Sequence, residues 1–364
     1  MTLVQLSRTR PVPTGPSRVP AAPSQGPLEL VDPQARRVKY LRLSLTDRCN
    51  YRCTYCMPED GIEHRPRSEL LTLEELGVLV RAFAAWGVER VRLTGGEPTV
   101  RQGLVDLVAE LAEIHGASGR LQVVMTTNGS RLRELAAPLR AAGLAGLTVS
   151  LDSLRADRFA AITRRDDLPG VLAGLDAAAD AGFRGVKINT VAVRGFNDDE
   201  LGELALWAWE RGHVPRFIEM MPMSGGRLFV PGELLPAAEI RARIADAAGA
   251  PLVADSGEGV RGLGPATYWR VSAGPHAGRR VGVIAAMTEN FCASCNRLRV
   301  SATGELHNCL ARDDTGDLRS ALRPHDPGLL AARVRAVLGH KQAGHEFQRD
   351  GRGGPEKPMI RIGG

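Results

Sequence analysis

Residues 38–56 read VKYLRLSLTDRCNYRCTYC. From Val38 to Thr46 apolar and polar residues alternate, as they do in a strand with one buried face. The polar loop beyond carries Cys49, Cys53 and Cys56 in a C-x3-C-x2-C array. A strand emptying into a ligand-bearing loop is the unit from which βα folds build their sites, since functional groups gather at the carboxyl ends of the strands. This one run therefore sets where the architecture begins and on which rim its chemistry lies.

The pattern repeats downstream. Val88 to Leu93, Leu121 to Met125, Gly146 to Leu151, Val186 to Val193 and Arg216 to Met220 are short β-rich runs. Helical periodicity separates them. Thr72 with Glu75 forms a capping box, and Leu73, Leu76, Val80 and Phe83 follow on one face until Gly87. Further helices fit Gln102 to His115, Leu132 to Gly143 with a kink at Pro138, Asp157 to Ile162, Val171 to Ala181 and Asp198 to Trp209. Six strand–helix units in sequence predict an α/β fold with a parallel sheet and helices outside. Six are fewer than the eight of a closed barrel, so the expectation is an incomplete, laterally open (βα)6 TIM-like barrel.

Three regions follow. Residues 1–36 are rich in proline and poor in periodicity, and are expected to form a disordered extension. Residues 37–225 hold the partial barrel, and residues 226–364 form a C-terminal region where the rhythm fails. That region has a helix around Gly328 to Leu338 and a glycine-rich tail ending in Gly363-Gly364.

The chain has 364 residues, 43% of them apolar, enough for a sizeable core, and no apolar run reaches the length of a membrane span. No apolar signal segment opens the chain, which predicts a cytoplasmic location with reduced thiols. The formal charge of +6, mostly arginine, hints at an anionic partner. Aromatics are only 4%, too few for base-stacking platforms, so a nucleoside triphosphate fits better than a nucleic acid.

The six cysteines form two trios, the second being Cys292-x2-Cys295-x13-Cys309. Sets of soft sulfur ligands select iron–sulfur clusters or zinc. A [4Fe–4S] cube takes four ligands, so a trio leaves one iron free for something that reacts. For the second trio zinc is a rival, because His307 could complete a tetrahedral site. Other polar residues recur at the same rim. Thr94-Gly95-Gly96-Glu97-Pro98 follows strand two, Thr126-Thr127-Asn128-Gly129 strand three, and Ser150-Leu151-Asp152 strand four. Lys187 and Asn189 lie on strand five, Glu219 and Met221 on and after strand six. Arg297 and Arg299 point to one side in strand geometry, and Arg42 and Arg92 sit on strands one and two. Arginines facing into a barrel demand an anion.

With Tyr55 inside the first array and Gly95-Gly96-Glu97-Pro98 behind it, the chain resembles the radical S-adenosylmethionine superfamily. The second trio, Arg297-Leu298-Arg299 and the terminal diglycine narrow the resemblance to the GTP-cyclising family of molybdenum-cofactor biosynthesis, over Val38 to Gly364. The resemblance implies two [4Fe–4S] clusters, on Cys49, Cys53 and Cys56 and on Cys292, Cys295 and Cys309. It leaves His307 outside the ligand set. S-adenosyl-L-methionine would bind the first cluster and be lined by Tyr55, Gly96, Ser150 and Met221. GTP would meet the second cluster and be held by Arg42, Arg92, Thr126, Lys187, Arg297, Leu298 and Arg299. A 5′-deoxyadenosyl radical would take hydrogen from C3′ of the ribose, and the ribose carbon would close on C8 of guanine. Gly363 and Gly364 would reach into the active site with a catalytic role. The family further implies a homodimer, an external electron donor and hand-off of product to the pyranopterin-forming synthase, without nucleic acid or membrane. Another twin-cluster radical enzyme, such as a peptide-modifying maturase, would usually carry more C-terminal cysteines, and a zinc-stabilised binding module would be colourless.

Overall fold

The computed structural model describes residues 28–255 and 264–363. Strands β1 (Tyr40–Ser44), β2 (Arg90–Thr94), β3 (Gln122–Thr127), β4 (Gly146–Ser150), β5 (Lys187–Ala192) and β6 (Val214–Glu219) lie side by side in parallel. These are the six strands that the sequence pattern predicts. Helices α1 (Leu73–Ala85), α2 (Leu104–Ala112), α3 (Leu132–Ala141), α4 (Ala156–Thr163), α5 (Leu168–Asp180) and α6 (Leu201–Glu210) connect them. Both halves of the Thr72–Glu75 capping box are formed, and Leu76, Val80 and Phe83 are buried against the sheet. Helix α2 is shorter at both ends than its apolar periodicity suggested. It starts after Gly103, whose left-handed backbone (φ 75°) breaks the run from Gln102.

The C-terminal region does not form a separate layer. After α7 (Ala237–Ala248) come β7 (Leu252–Ala254), β8 (Thr267–Val271), β9 (Arg280–Ile284), β10 (Arg297–Val300), β11 (Glu305–His307) and β12 (Thr315–Asp317). Strand β9 pairs in parallel with β6, and β10 in parallel with β1. The result is one twelve-stranded sheet, ordered β12-β11-β10-β1-β2-β3-β4-β5-β6-β9-β8-β7. The partial barrel is thus widened at both edges by strands from one downstream segment. Inward side chains from β10, β1, β2, β3, β5, β6 and β9 border a single cavity, so the sheet curls around it. Helix α9 (Pro327–Gly339), which starts at an Asp326 cap, packs on the outer strands β11 and β12, and α8 (Arg319–Leu322) packs against α9 and α1.

The boundary at residue 36 needs correcting. Leu28 and Leu30 are buried in the main core, Val31 bridges Arg37, and Asp32 ties the turn between them. Residues 28–36 are therefore packed, because two leucines find apolar cover and an aspartate organises the backbone locally. Residues 1–27 of the expected extension lie outside the described residues.

Candidate active site

All six cysteines are free thiols on the wall of one cavity of about 260 Å³. The loop bearing the first trio is fastened to the end of α4 by Arg52 N–H to the Thr163 carbonyl (3.0 Å) and Thr54 N–H to that of Ile162 (2.9 Å). On its other side it receives the Gly95-Gly96 turn. The amides of Gly96 and Glu97 donate to the carbonyls of Thr46 and Arg48, each at 2.8 Å. A Cβ at Gly96 would stand 2.2 Å from the Arg48 oxygen, so the close approach that glycine permits is first of all to protein backbone. The Glu97 carboxylate is filled by Thr99 N–H and Oγ1, Thr127 Oγ1 and Asn128 N–H.

The two trios differ electrostatically. Burial pushes the Cys49 thiol up to about 11 and Cys56 up to about 12; it also raises Cys53, with Asp152 adding to the effect. Burial raises Cys292 as well. At Cys295 burial acts the same way, yet the charges of Arg297 and Lys341 outweigh it and bring the thiol down to about 7. Buried thiols of the first kind lose their protons only when a strong positive partner compensates, which is what a metal centre supplies. Among the described residues, no three His, Cys, Asp or Glu side chains converge tightly enough to grip a single ion. An iron–sulfur cluster does not require that, because its thiolates bind separate irons. The donor sets thus fit one cluster per trio. His307 borders no part of the cavity and is fully buried on β11.

Register builds a cationic wall between the trios. Arg299 on β10, Arg42 on β1 and Arg92 on β2 are direct neighbours across the parallel strands, with Arg297 and Tyr40 one step below. Neighbours in register share a face, and all five border the cavity. Arg92 is buried and donates to Thr126 Oγ1 (3.0 Å), Thr148 Oγ1 (2.8 Å) and the Tyr40 hydroxyl. Arg297 lies over the Phe291 ring and reaches Cys295 Sγ at 4.0 Å.

One member of this wall was missed from sequence. Arg216 on β6 is buried, borders the cavity, and donates to Asn189 Oδ1 (2.9 Å) and Thr148 Oγ1 (3.2 Å). The rule that flagged Arg42 and Arg92, an arginine inside a barrel strand, would have found it. Two expected GTP residues stand apart. Lys187, at the start of β5, does not border the cavity, although burial and then Arg216 and Arg92 bring its amine down to about 7. Leu298 alternates to the opposite face of β10 and is fully buried in the core, so its side chain belongs to packing.

Tyr55, Gly96, Ser150 and Met221 all border the cavity beside the first trio. The Tyr55 hydroxyl donates to Asp152 Oδ2 (2.8 Å), while Asp152 Oδ1 accepts the Val191 amide (2.8 Å). The tail comes in from the other side. Its last turn, Met359–Ile362, buries Ile360 and Ile362, and Met359 borders the cavity together with Cys56. The Gly363 carbonyl accepts from Arg42 (3.0 Å) and Arg299 (3.2 Å). Gly364 lies outside the described residues.

Family models agree with this layout. The Radical SAM superfamily matches residues 43–208, and Molybdenum Cofactor Synthesis C matches 214–347. The crystal structure of Streptococcus suis SuiB bound to S-adenosylmethionine shares the fold at TM-score 0.53 and 14% identity, over 75% of this chain and 60% of that one. A curled parallel sheet with a three-cysteine loop after its first strand defines a radical S-adenosylmethionine protein. Two relatives narrow the class. The GTP 3′,8-cyclase of Ectopseudomonas mendocina is 46% identical over 88% of this chain and 95% of its own. That of Streptomyces coelicolor is 42% identical over 94% and 99%. The chain belongs to the GTP 3′,8-cyclase family.

Proposed function

We propose that the protein converts GTP to (8S)-3′,8-cyclo-7,8-dihydroguanosine 5′-triphosphate, an early step of molybdopterin biosynthesis. The observation that carries this reading is the row Arg299–Arg42–Arg92, set between two cysteine trios on one cavity wall. Guanidinium forks in a desolvated site suit the oxygens of a triphosphate. Arg216 extends the row, and Thr126 and Arg297 flank it; Lys187 would act from below and Leu298 only through its backbone. When bound at the first trio, the cluster and S-adenosyl-L-methionine supply the radical that removes hydrogen from C3′.

Tyr55, Gly96, Ser150 and Met221 would hold that cofactor against the ribose, and the cavity wall would exclude water. Closing C3′ on C8 needs no general base, and the carboxylates on the wall, Glu97, Asp152 and Glu219, are each engaged by protein donors. Gly363 would steer the nucleotide through its carbonyl's contacts with Arg42 and Arg299, and Gly364 would share the catalytic role of the tail. The second trio would carry its cluster at the guanine end and could pass the reducing electron. We also propose a homodimer in the cytoplasm, an external electron donor and hand-off of product to the pyranopterin-forming synthase. No helix among the described residues is long and apolar enough to cross a membrane.

The test is an anaerobic incubation of the reduced, cluster-loaded protein with S-adenosyl-L-methionine and GTP, followed by mass spectrometry. The expected result is 5′-deoxyadenosine and a cyclised guanosine triphosphate in equal amounts. Release of 5′-deoxyadenosine with GTP untouched would overturn the substrate assignment.

A further inference from the structure

We infer that Arg36, in the segment before β1, is a positioning residue that fixes the Cys292 loop and so holds the second cluster. Its side chain is only 8% exposed although it sits near the start of the described chain. Asp32 orients it. Asp32 Oδ1 accepts the amides of Gln34 and Arg36, both at 3.0 Å, and Oδ2 accepts Arg36 Nε at 2.6 Å. With Nε engaged, the planar guanidinium is held in one orientation, with Gln34 Oε1 of the same turn taking one Nη2 donor.

Those nitrogens clasp two other parts of the chain. Nη1 donates to the Cys292 carbonyl (2.7 Å) and the Ala343 carbonyl (3.0 Å). Nη2 donates to the Gln342 carbonyl (2.7 Å) and Gln34 Oε1 (2.8 Å). All five N–H donors of the guanidinium are therefore used. The strap of residues 341–345 is itself laid on the second trio. Lys341 is buried and donates Nζ to the carbonyls of Asn308 and Arg297, residues adjacent to Cys309 and near Cys295. His345 and Cys292 border the same cavity, and a Cβ at Gly344 would stand 4.0 Å from that of Cys292. Arg36 is thus the link joining the N-terminal segment, the Cys292 loop and the strap. A lysine could offer a charge here but not a planar fork reaching three carbonyls.

This inference rests on the reading of Cys292, Cys295 and Cys309 as a cluster site, and the test separates the two. The parent is the full chain with Cys49→Ala, Cys53→Ala and Cys56→Ala, which retains only the second trio. Reconstituted anaerobically, it should hold about four irons and give one reduced-cluster EPR signal. Adding Arg36→Gln should lower iron by at least about half and broaden the signal, and Arg36→Lys should not restore it, because the fork rather than the charge is missing. In the chain with all cysteines present, Arg36→Gln should leave the first cluster and its S-adenosyl-L-methionine-dependent EPR change intact. Full iron with an unchanged signal in Arg36→Gln would overturn the inference, as would rescue by Arg36→Lys or equal loss from both trios. A parent that binds no iron would overturn the cluster reading and this inference with it.

Discussion

Arg42 on β1 donates to the carbonyl of Gly363 at 3.0 Å, so the first strand of the barrel is tied to the last turn of the chain at the edge of the cavity that Arg42 and Met359 line. Arg299 donates to the same oxygen. The tail therefore takes donors from two arginines that border the cavity, and it should fix where a bound anion lies relative to the first trio.

Deleting Gly363 and Gly364 should lower turnover by about 100-fold or more, the scale expected when a reacting group is displaced by an ångström. GTP affinity should change little, since Arg42, Arg92 and Arg216 keep their donors. Gly363→Ala should act in the same direction: the residue has φ 75°, and its Cβ would stand 2.6 Å from Thr94 Oγ1. Steady-state kinetics beside equilibrium GTP binding decide this. Unchanged turnover in the truncated protein would remove the tail from the reaction.

Arg216→Ala should weaken GTP binding by about 10- to 100-fold, the equivalent of about 1.5–3 kcal/mol for hydrogen bonds to a charged group. S-adenosyl-L-methionine binding should stay as it is, because Arg216 is held by Asn189 and Thr148 whereas the Tyr55 hydroxyl is held by Asp152, with no shared partner. Titration calorimetry with each ligand separates the effects. Equal losses for both ligands would mean that the change had disturbed the barrel as a whole.

If GTP binds beside it as proposed, Lys187 should make that binding pH-dependent. Burial, followed by the cations Arg216, Arg92, Arg90 and Arg280, brings its amine down to about 7. Above that pH the free protein holds Lys187 largely neutral, whereas a bound triphosphate favours the ammonium. Binding should then take up a proton between about pH 7 and 9, and affinity should fall as pH rises, by at most about tenfold per unit for one linked proton. Below pH 7 the amine is already charged and this linkage vanishes. Calorimetry in buffers of different ionisation enthalpy measures the uptake, and Lys187→Met should abolish it. Equal uptake in that variant would assign the proton elsewhere.

Much of this was legible because it is periodic. Alternation placed Arg42 and Arg92 inward, spacing located the cysteines, and the Thr72 box marked α1. What stayed hidden depends on contacts distant in sequence. That β9 and β10 would join opposite edges of the sheet follows from pairing with β6 and β1, which no local pattern encodes. Arg36 stood in a proline-rich leader, and its partners, Cys292, Gln342 and Ala343, are more than 250 residues away. Leu298 was drawn into the GTP set by its arginine neighbours, although strand alternation turns it to the core.

Tyr55→Phe tests the fastening of the first trio. The phenol donates to the buried Asp152, whose carboxyl is pushed up to about 6 by burial. Removing that donor should cost about 1.5–3 kcal/mol of stability in chemical unfolding of the cluster-free protein. Asp152→Asn, whose oxygen can still accept the Val191 amide while its NH2 donates to the Tyr55 hydroxyl oxygen, should cost less. Identical unfolding curves for Tyr55→Phe and the parent would show that the pair does not fasten the loop.

The central claim is that GTP sits against the second of two clusters sharing one cavity. The most direct measurement is the EPR spectrum of the reduced second cluster, in protein carrying Cys49→Ala, Cys53→Ala and Cys56→Ala, with and without saturating GTP. Nucleotide bound at the open iron should shift the signal, and nitrogen-15 in the guanine should add a hyperfine coupling. A spectrum unchanged by GTP that calorimetry shows to be bound would contradict the account.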